Sequence, residues 1–473
     1  MEETRKERRT MNTEDLQKLG IPLGEPMLAA KELIKECFAA GDAPEKVETR
    51  LRTIVEKPEV FASRNDLDGR LASLITRLAF TPREEPAPYH QWGEDLEETS
   101  VQQMANACQL PVAEQGALMP DAHLGYGLPI GGVLATNNAV IPYAVGVDIA
   151  CRMKLSVLDI PLQKLENDQG HGRLTGAINV ETRFGIGASF KDKREHAVLD
   201  EDWSVSPITR DNKEKAWKQL GTSGSGNHFV EFGEIELQDD SLGLEPGAYV
   251  ALLSHSGSRG TGANVAAHYS KLAQAAHPEL PQELRHLAWL DMDSEAGQEY
   301  WAAMELMGLY AAANHACIHK HVIENLGAEL LLDVENHHNF AWKENHNGKD
   351  VIVHRKGATP AGEGVLGVIP GSMASPAYVV RGKGKPESLN SASHGAGRVM
   401  SRKKAHKELN WKEARDLLTE RGVTLLSAGL DEVPFVYKDI DQVMAQQSDL
   451  VDPVARFFPR LVKMAPAGER PED

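Results

Sequence analysis

Apolar residues recur at three- and four-residue spacing in three segments near the start of the chain, and this period predicts amphipathic helices. The segments are rich in Leu, Ala, Glu and Lys, which favour helix, and they cover residues 26–40, 44–57 and 65–79. The stretch that follows, 81–95, is Pro-rich and charged, which is typical of a linker. We therefore expect a helical N-terminal extension and linker over residues 1–95.

After residue 95 the pattern changes to short β-branched runs separated by Gly-rich turns. It predicts strands at 248–257, 349–357 and 377–383, and helices at 262–276, 297–325 and 440–458. Because these elements do not alternate as βαβ units, the pattern favours an α+β fold over a doubly wound sheet. A second, larger domain is expected over residues 96–473.

The composition is that of an ordinary globular protein: 473 residues, 41% hydrophobic and 25% charged. No run of about 18 apolar residues predicts a membrane span, and the charged N-terminus does not resemble a secretory signal. The four cysteines form no CxxC pair, so neither a disulfide framework nor a zinc finger is predicted. We expect a cytoplasmic protein that does not engage membranes.

The charge is unevenly distributed. The net charge is −18, yet residues 381–407 contain eight basic residues and one acid, Glu387. Such a cluster is either a solvated face or a surface that holds phosphate, and a phosphate surface predicts binding that weakens steeply with salt. The basic residues are Arg381, Lys383, Lys385, Arg398, Arg402, Lys403, Lys404 and Lys407.

Candidate chemistry begins at "GVDIACRM", where Asp148 precedes Cys151 in a mostly apolar stretch. A buried carboxylate is costly unless a cation, a hydrogen-bond donor or a metal accompanies it. Several of the 18 histidines lie in Gly/Ser/Asn-rich stretches such as "GTSGSGNHFVE", "SHSGSRG", "ENHHNF" and "SASHGAGR". Imidazoles, a carboxylate and a thiolate suit a divalent transition metal, and one thiolate can bridge two ions. By ligand softness alone, zinc or iron is expected.

The chain lacks the GxxxxGK[ST] phosphate loop, and its one GxGxxG-like run, "GEGVLG", does not open a clear helix. The turns "PGSM" (370–373) and "HGAG" (394–397) offer backbone amides that can hold phosphate, although ordinary turns have the same composition.

Nine motifs, in order, resemble those of the RtcB family of GTP-dependent RNA ligases. They span about residues 103–464 and are "MPDAHLGYGLPIGG", "GVDIAC", "GTSGSGNHFVE", "SHSGSRG", "HHNF", "VHRKGAT", "IPGSM", "SHGAGRVMSR" and "DEVPFVYKDIDQVM". The resemblance implies an RtcB-type α+β fold around a dinuclear site with two Mn²⁺ ions, which replaces the softness-based choice of metal. It makes residues 96–473 an RtcB-like catalytic domain.

The resemblance also implies roles for individual residues. His394 becomes covalently guanylylated, and Arg398 and Arg402 contact the RNA substrate. The implied metal ligands are Asp148, Cys151 and His228 for one ion, with Cys151, His255 and His338 for the other. The implied GTP-binding residues are Asn227, His228, Phe229, Val230, Glu231, Asn339, Pro370, Gly371, Ser372, Met373, His394, Gly395, Ala396, Gly397 and Lys463.

The implied reaction joins an RNA 3′-phosphate or 2′,3′-cyclic phosphate end to a 5′-hydroxyl end. It passes through a histidine–GMP adduct and an activated RNA–ppG end, and it releases pyrophosphate and GMP. Two alternatives stay open: a guanylyltransferase that caps 3′-phosphate ends without sealing them, and a dinuclear metal phosphoesterase or inactive nucleic-acid binder. No activating partner is identified.

The sequence departs from the family pattern at four places. Arg152 stands where a small residue usually follows the metal cysteine, and a charge there is expected to alter the path of RNA or triphosphate. Ala377 replaces a serine, ten residues follow Lys463, and the helical N-terminal extension is atypical.

Overall fold

The computed structural model describes residues 11–77 and 80–468. Within these ranges the helices, in chain order, are α1 (Thr13–Lys18), α2 (Glu25–Ala39), α3 (Pro44–Glu56), α4 (Pro58–Phe61), α5 (Leu67–Arg77), α6 (Glu98–Cys108), α7 (Pro142–Val145), α8 (Gln163–Glu166), α9 (Asp168–Glu181), α10 (Pro207–Gln219), α11 (Arg259–Ala276), α12 (Glu295–Leu326), α13 (Arg402–Glu408), α14 (Trp411–Glu420) and α15 (Ile440–Ala445).

The strands, in chain order, are β1 (Tyr89–Gln91), β2 (Ala113–His123), β3 (Ile130–Thr136), β4 (Ala139–Val140), β5 (Arg152–Leu158), β6 (Phe229–Leu237), β7 (Gly247–Ser256), β8 (Leu290–Asp291), β9 (Leu330–His337), β10 (Asn339–His346), β11 (Lys349–Lys356), β12 (Ala358–Pro360), β13 (Leu366–Ile369), β14 (Ala377–Gly382), β15 (Ser391–Ser393), β16 (Thr424–Ser427) and β17 (Val451–Met464).

While β4 with β8 and β12 with β15 form separate two-stranded sheets, most of these strands form two sheets. One has the order β1-β2-β3-β11-β10, and the other has the order β13-β14-β17-β6-β7-β5-β9 with β16 beside β17. Among the described strands of both sheets, only β1–β2 and β16–β17 are parallel pairs. A doubly wound sheet is built from parallel strands joined by crossover helices, and antiparallel pairs do not need such helices. The mainly antiparallel sheets together with the helices therefore confirm the expected mixed helix and sheet content.

The larger sheet is apolar on both faces, and the alternation of side chains assigns residues to one face or the other wherever the pairing register is unbroken. Val250 and Leu252 of β7 pack with residues of α9 and α12, and we call this side the helix face. Ala251 and Leu253 join a core built by strands of the same sheet, which we call the inner face. His255 continues this second set, so its side chain belongs to the inner face.

Most of the elements predicted from the sequence are confirmed. The expected helices correspond to α2, α3, α5, α11 and α12, and the expected strands to β7, β11 and β14; residues 78–79 lie outside the described residues. Helices α1–α5 pack around an apolar core of their own that includes Leu33, Leu51 and Leu71. None of the described helices combines the length and apolar composition needed to cross a membrane.

Two expectations were wrong. The helix predicted at 440–458 ends at Ala445, and β17 occupies Val451–Met464 instead. Burial alternates along β17 from Ala455 to Leu461, and Pro459 lies at a shift in register, where a strand tolerates proline better than a helix does. The 81–95 segment is not only a linker, because β1 within it pairs with β2.

Candidate metal centre and adjoining cavities

Asp148 and Cys151 lie in the loop between α7 and β5. Ala150, between them, adopts a left-handed φ of 57°, which is uncommon for a residue with a Cβ. Its N–H donates to the carbonyl oxygen of Asn339 at 2.7 Å, so the loop is fixed against β10. Cys151 lies two residues before Met153 of β5, and the side chain of Met153 belongs to an apolar core on one side of the sheet. Because side chains two residues apart in an extended chain point the same way, Cys151 faces that side too.

Three histidines reach the same place from other strands. His228 precedes β6, His255 lies near the end of β7, and His338 lies between β9 and β10. The sulfur of Cys151 is 3.4 Å from Nε2 of His228 and 3.1 Å from Nε2 of His255. Nε2 of His255 is 3.2 Å from Nε2 of His338, and Nε2 of His228 is 3.2 Å from Oδ2 of Asp148. The structure therefore brings all five predicted metal ligands together.

These donor atoms form two groups that share Cys151: Asp148, Cys151 and His228 in one, and Cys151, His255 and His338 in the other. Nδ1 of His255 donates to the carbonyl oxygen of Asn227 at 3.2 Å, which directs the Nε2 lone pair into the cluster. Burial lowers the pKa of His255 to about 3, so its ring is neutral at pH 7. No residue in the described ranges makes a well-directed hydrogen bond to Oδ2 of Asp148. Facing lone pairs in a buried cluster require cations, so the residues fit two divalent ions.

Gly257 leaves the space that the Asp148 carboxylate fills. A Cβ at Gly257 would lie 2.1 Å from Oδ2 of Asp148 and 2.2 Å from Oδ1, far inside van der Waals contact. We expect Gly257→Ala to displace the carboxylate and weaken binding of divalent ions about 10- to 100-fold in a calorimetric titration. Gly172→Ala, at a position where a Cβ meets nothing within 4 Å, is the control. Equal ion affinities of the two variants would contradict this role.

His394 is held by a buried carboxylate on β2. Nδ1 of His394 is 2.7 Å from Oδ2 of Asp121, and the same oxygen accepts the backbone N–H groups of His394 and Gly395. Burial is the largest influence on the pKa of Asp121 and acts to raise it, but the hydrogen bond from His394 and the nearby charges of His394, His123 and Lys438 together lower this pKa below its usual value. With a proton on Nδ1, Nε2 of His394 keeps its lone pair for nucleophilic attack. Only glycine fits at position 397, because a Cβ at this position would lie 2.1 Å from the carbonyl oxygen of Asp121.

A narrow cavity opens on one side of His394. Glu231, on the inner face of β6, lines it, and burial raises the pKa of this carboxyl well above its usual value. Most of the predicted GTP-binding residues line this cavity: Asn227, Phe229, Glu231, Pro370, Gly371, Ser372, Met373, His394, Gly395, Ala396 and Gly397.

A wider cavity of about 750 Å³ is also lined by His394 and reaches all five predicted metal ligands. The two cavities share part of their walls, including Asn227, His255 and His394. His394 therefore lies at the boundary between them, and its ring centroid is 5.0 Å from that of His338.

Lys356, at the end of β11, lines the wide cavity. Its ammonium donates to the carbonyl oxygen of Tyr126 at 2.6 Å, and no carboxylate of the described residues lies within ion-pair distance of it. Burial lowers the pKa of Lys356 to about 7. A buried ammonium without a countercharge gains most from an anion in the cavity.

Some of the residues predicted to contact the nucleotide do not line the narrow cavity. Val230 and its cross-strand partner Lys463 face the opposite side of the sheet from Glu231, and the Lys463 ammonium lies over the ring of Phe184. Their contact with GTP therefore stays a prediction that these side-chain positions do not support. His228 and Asn339 line the wide cavity instead.

Two of the four departures from the family pattern, Arg152 and Ala377, can be placed in the structure. Arg152 is on the helix face of β5, next in sequence to Cys151 but pointing away from it, and it donates to the carbonyl oxygen of Gly308 and pairs with Glu335 at 3.3 Å. Arg152 is not among the residues that line either cavity, and its expected influence on the path of RNA or triphosphate stays a prediction. Ala377 lines the narrow cavity, but Ser375 also lines it and supplies a hydroxyl.

The basic stretch 381–407 is not a continuous free surface. Arg398 and Arg402 line both cavities, as expected for substrate-binding residues, but each is paired with a carboxylate. An incoming RNA phosphate must therefore compete for them. Five of the eight basic residues lie within ion-pair distance of an acid, in the pairs Lys383–Asp452, Lys385–Asp449, Arg398–Glu432, Arg402–Asp431 and Lys404–Glu408.

Two functional residues escaped the sequence analysis. Asp121 lies in "MPDAHLGYG" and Lys356 in "VHRKGAT", so both motifs were recognised while their individual side chains were not assigned. The only available signal for Asp121 was an acid in an otherwise buried strand, which requires a partner.

The model of the family described as tRNA-splicing ligase RtcB matches residues 103–206 and 201–464. The RNA-splicing ligase RtcB1 of Escherichia coli is 35% identical over 397 residues, covering 78% of this chain and 95% of that protein. The tRNA-splicing ligases RtcB of Thermococcus kodakarensis and Nanoarchaeum equitans are 30% and 33% identical, covering 77% of this chain in both cases and 90% and 91% of those proteins. The chain belongs to the RtcB family.

Proposed function

We propose that this protein is an RNA ligase that uses GTP to join a 3′-phosphate or 2′,3′-cyclic phosphate end to a 5′-hydroxyl end. Membership of the RtcB family supports RNA ligation, and the names of the relatives point to RNA splicing as the process. The single observation that carries the finer proposal is the position of His394 at the boundary of the two cavities. A nucleophile in the wall of both cavities can accept guanylate from a ligand in the narrow one and present it to a substrate in the wide one.

We propose two Mn²⁺ ions at the cluster, one held by Asp148, Cys151 and His228 and the other by Cys151, His255 and His338. The donor set fits divalent ions, whereas the choice of manganese over zinc or iron rests on the family. Such ions supply positive charge that stabilises phosphate oxygens during a displacement.

GTP is assigned to the narrow cavity. Glu231 supports guanine, because the N1–H and N2–H donors that guanine presents, and that adenine lacks at the same edge, stabilise the ionised carboxylate that burial alone disfavours. Phe229 and Met373 provide apolar walls, and the turns at 370–373 and 394–397 bring backbone close to the ligand.

In the first step Nε2 of His394 attacks the α-phosphorus of GTP, the bond to the β-phosphate oxygen breaks, and pyrophosphate leaves. Asp121 holds the imidazole in the correct tautomer and stabilises the positive charge that it acquires. An oxygen of the RNA 3′-phosphate then attacks the guanylate phosphorus and breaks its bond to His394. Finally the 5′-hydroxyl attacks the 3′-phosphate phosphorus and GMP leaves. A cyclic end must first be opened by water.

Lys356 is proposed to hold an RNA phosphate in the wide cavity. Because its pKa of about 7 in the free protein must rise when an anion binds, RNA binding takes up a proton above pH 7. We expect RNA affinity, measured without GTP, to fall as pH rises from 6 to 8.5. Lys356→Met should weaken binding about tenfold or more at pH 6 and flatten this pH dependence.

The control for Lys356→Met is Lys403→Met, which removes the same charge from an exposed position outside both cavities. Lys403→Met should keep the pH dependence of the unmodified protein. An unchanged pH slope in Lys356→Met would exclude Lys356 as the titrating phosphate contact.

The proposed function is tested with GTP labelled on the α-phosphate, Mn²⁺ and RNA pairs with 3′-phosphate and 5′-hydroxyl ends. We expect an acid-labile protein–GMP adduct and a sealed RNA product. An adduct with a capped but unsealed 3′ end would establish the guanylyltransferase alternative. Absence of any adduct would leave a metal phosphoesterase or an inactive nucleic-acid binder.

We further propose that residues 1–95 form an extension outside the catalytic domain, which covers 96–473. The independent core of α1–α5 and the start of the family match at residue 103 support this division. The pairing of β1 with β2 ties the end of the extension to the catalytic domain.

A further inference from the structure

The wall of the wide cavity carries exposed apolar side chains that the proposed chemistry does not use. Leu124 is 54% exposed, Tyr126 is 63% exposed and Val399 is 53% exposed, and all three line this cavity. They come from two loops, one after β2 and one before α13. Large apolar side chains gathered beside a polar cavity indicate a surface that a ligand covers.

The loop that carries Leu124 and Tyr126 is held at successive backbone positions. The side-chain amide of Gln103 donates to the carbonyl oxygen of Gly125 at 2.6 Å and accepts the N–H of Gly125 at 3.0 Å. The N–H of Leu124 donates to Oε2 of Glu97 at 3.1 Å. Because the backbone is fixed from α6 and the residue before it, the loop presents these side chains to the cavity instead of burying them.

The ring of Tyr126 packs against a second aromatic ring. It makes a near-perpendicular contact with His286, with centroids 5.7 Å apart, and His286 packs in the same way on Tyr143 at 4.6 Å. The carbonyl oxygen of Tyr126 accepts the hydrogen bond from Lys356, so the backbone of Tyr126 is held next to the proposed phosphate contact. Tyr126 therefore offers an exposed aromatic ring, packed against His286, on a backbone that is bonded to a cation.

We propose that Tyr126 is a stacking platform for a nucleobase of the RNA, at the nucleotide next to the phosphate held in the wide cavity. Aromatic rings stack on any base, and the bases at single-stranded RNA ends are free to do so. Leu124 and Val399 cover the edges of the stacked base. This inference rests on the proposed function, because it requires RNA in the wide cavity.

The test is binding of short RNAs, without GTP, that carry the fluorescent base 2-aminopurine at the terminal nucleotide. One RNA has a 3′-phosphate end and the other a 5′-hydroxyl end. We expect stacking to quench the fluorescence for at least one of them, and the RNA that is quenched identifies which end lies on Tyr126. Tyr126→Ala should remove the quenching and weaken binding about 5- to 150-fold, whereas Tyr126→Phe should retain both.

Two controls separate stacking from general damage. Leu309→Ala removes another exposed apolar side chain, outside the cavity, and should bind RNA as the unmodified protein does. With an abasic terminal nucleotide, Tyr126→Ala and the unmodified protein should bind equally. The proposal is overturned if Tyr126→Ala binds both RNAs within twofold of the unmodified protein, or if its loss is equally large with abasic RNA.

Failure of this inference can be distinguished from failure of the proposed function. Formation of the GMP adduct by the unmodified protein is measured without RNA, and stacking is measured without GTP. An adduct without stacking would overturn only the role of Tyr126, and stacking without an adduct would overturn only the ligase proposal.

Discussion

His394→Ala is expected to form no GMP adduct and to lose RNA sealing by a factor of at least about 10⁴. The covalent route divides one difficult phosphate transfer into two easier ones, and the variant lacks the imidazole that the Asp121 carboxylate orients where the two cavities meet. The measurement is adduct formation with labelled GTP, followed by sealing of paired RNA ends.

The His394→Ala result needs evidence that the cavities survive the substitution. His394 is partly exposed in its cavity and contacts Asp121, so its loss leaves a buried carboxylate without its main partner. Binding of Mn²⁺ by the variant should stay close to that of the unmodified protein, because the five metal ligands do not include His394. His90→Ala, which removes an exposed histidine of β1, is the control for activity. An adduct that persists in His394→Ala would place the guanylate on another residue.

The metal cluster was predictable because its ligands lie in recognisable motifs, and alternation along strands explains why they converge. Cys151, His255 and His338 share the inner face with apolar residues such as Met153 and Leu253. A sequence shows this alternation within each strand. It does not show that β5 lies between β7 and β9, which is the arrangement that brings the three side chains together.

The role of Arg152 illustrates what proximity in sequence fails to predict. Arg152 directly follows the metal ligand Cys151 in the chain, yet its side chain lies on the helix face of the sheet. There Arg152 pairs with Glu335, and Lys154 pairs with Asp333. The guanidinium next to Cys151 in the chain is therefore bonded to partners away from the ligand atoms. For the same reason Lys463, next to the cavity-lining Val462 and Met464, faces Phe184 instead of the cavity.

Asp121 was missed because its importance depends on a contact across 273 residues of chain. Nothing in "MPDAHLGYG" identifies His394 as the partner of this carboxylate. The same holds for Lys356, whose low pKa results from burial that only the folded chain creates.

Asp121→Asn is expected to slow adduct formation at saturating GTP about 10²- to 10⁴-fold, with little change in GTP affinity. The amide can present either its oxygen or its NH₂ group to the ring, so it no longer enforces the Nδ1–H tautomer of His394, and it does not stabilise the charge that develops on attack. Asp95→Asn, which changes another carboxyl group lining the wide cavity, is the control.

A merely structural role for Asp121 would lower GTP binding and stability without altering the tautomer of His394. The distinguishing measurement is therefore ¹⁵N NMR of the imidazole, in which the unmodified protein should show a protonated Nδ1 and the Asp121→Asn variant a mixture of tautomers. The three hydrogen bonds that converge on Oδ2 of Asp121 make this the best-anchored contact of the nucleophile. If the rate of adduct formation in Asp121→Asn equals that of Asp95→Asn, the nucleophile is oriented by the backbone of the 394–397 turn alone, and the carboxylate does not contribute to guanylate transfer.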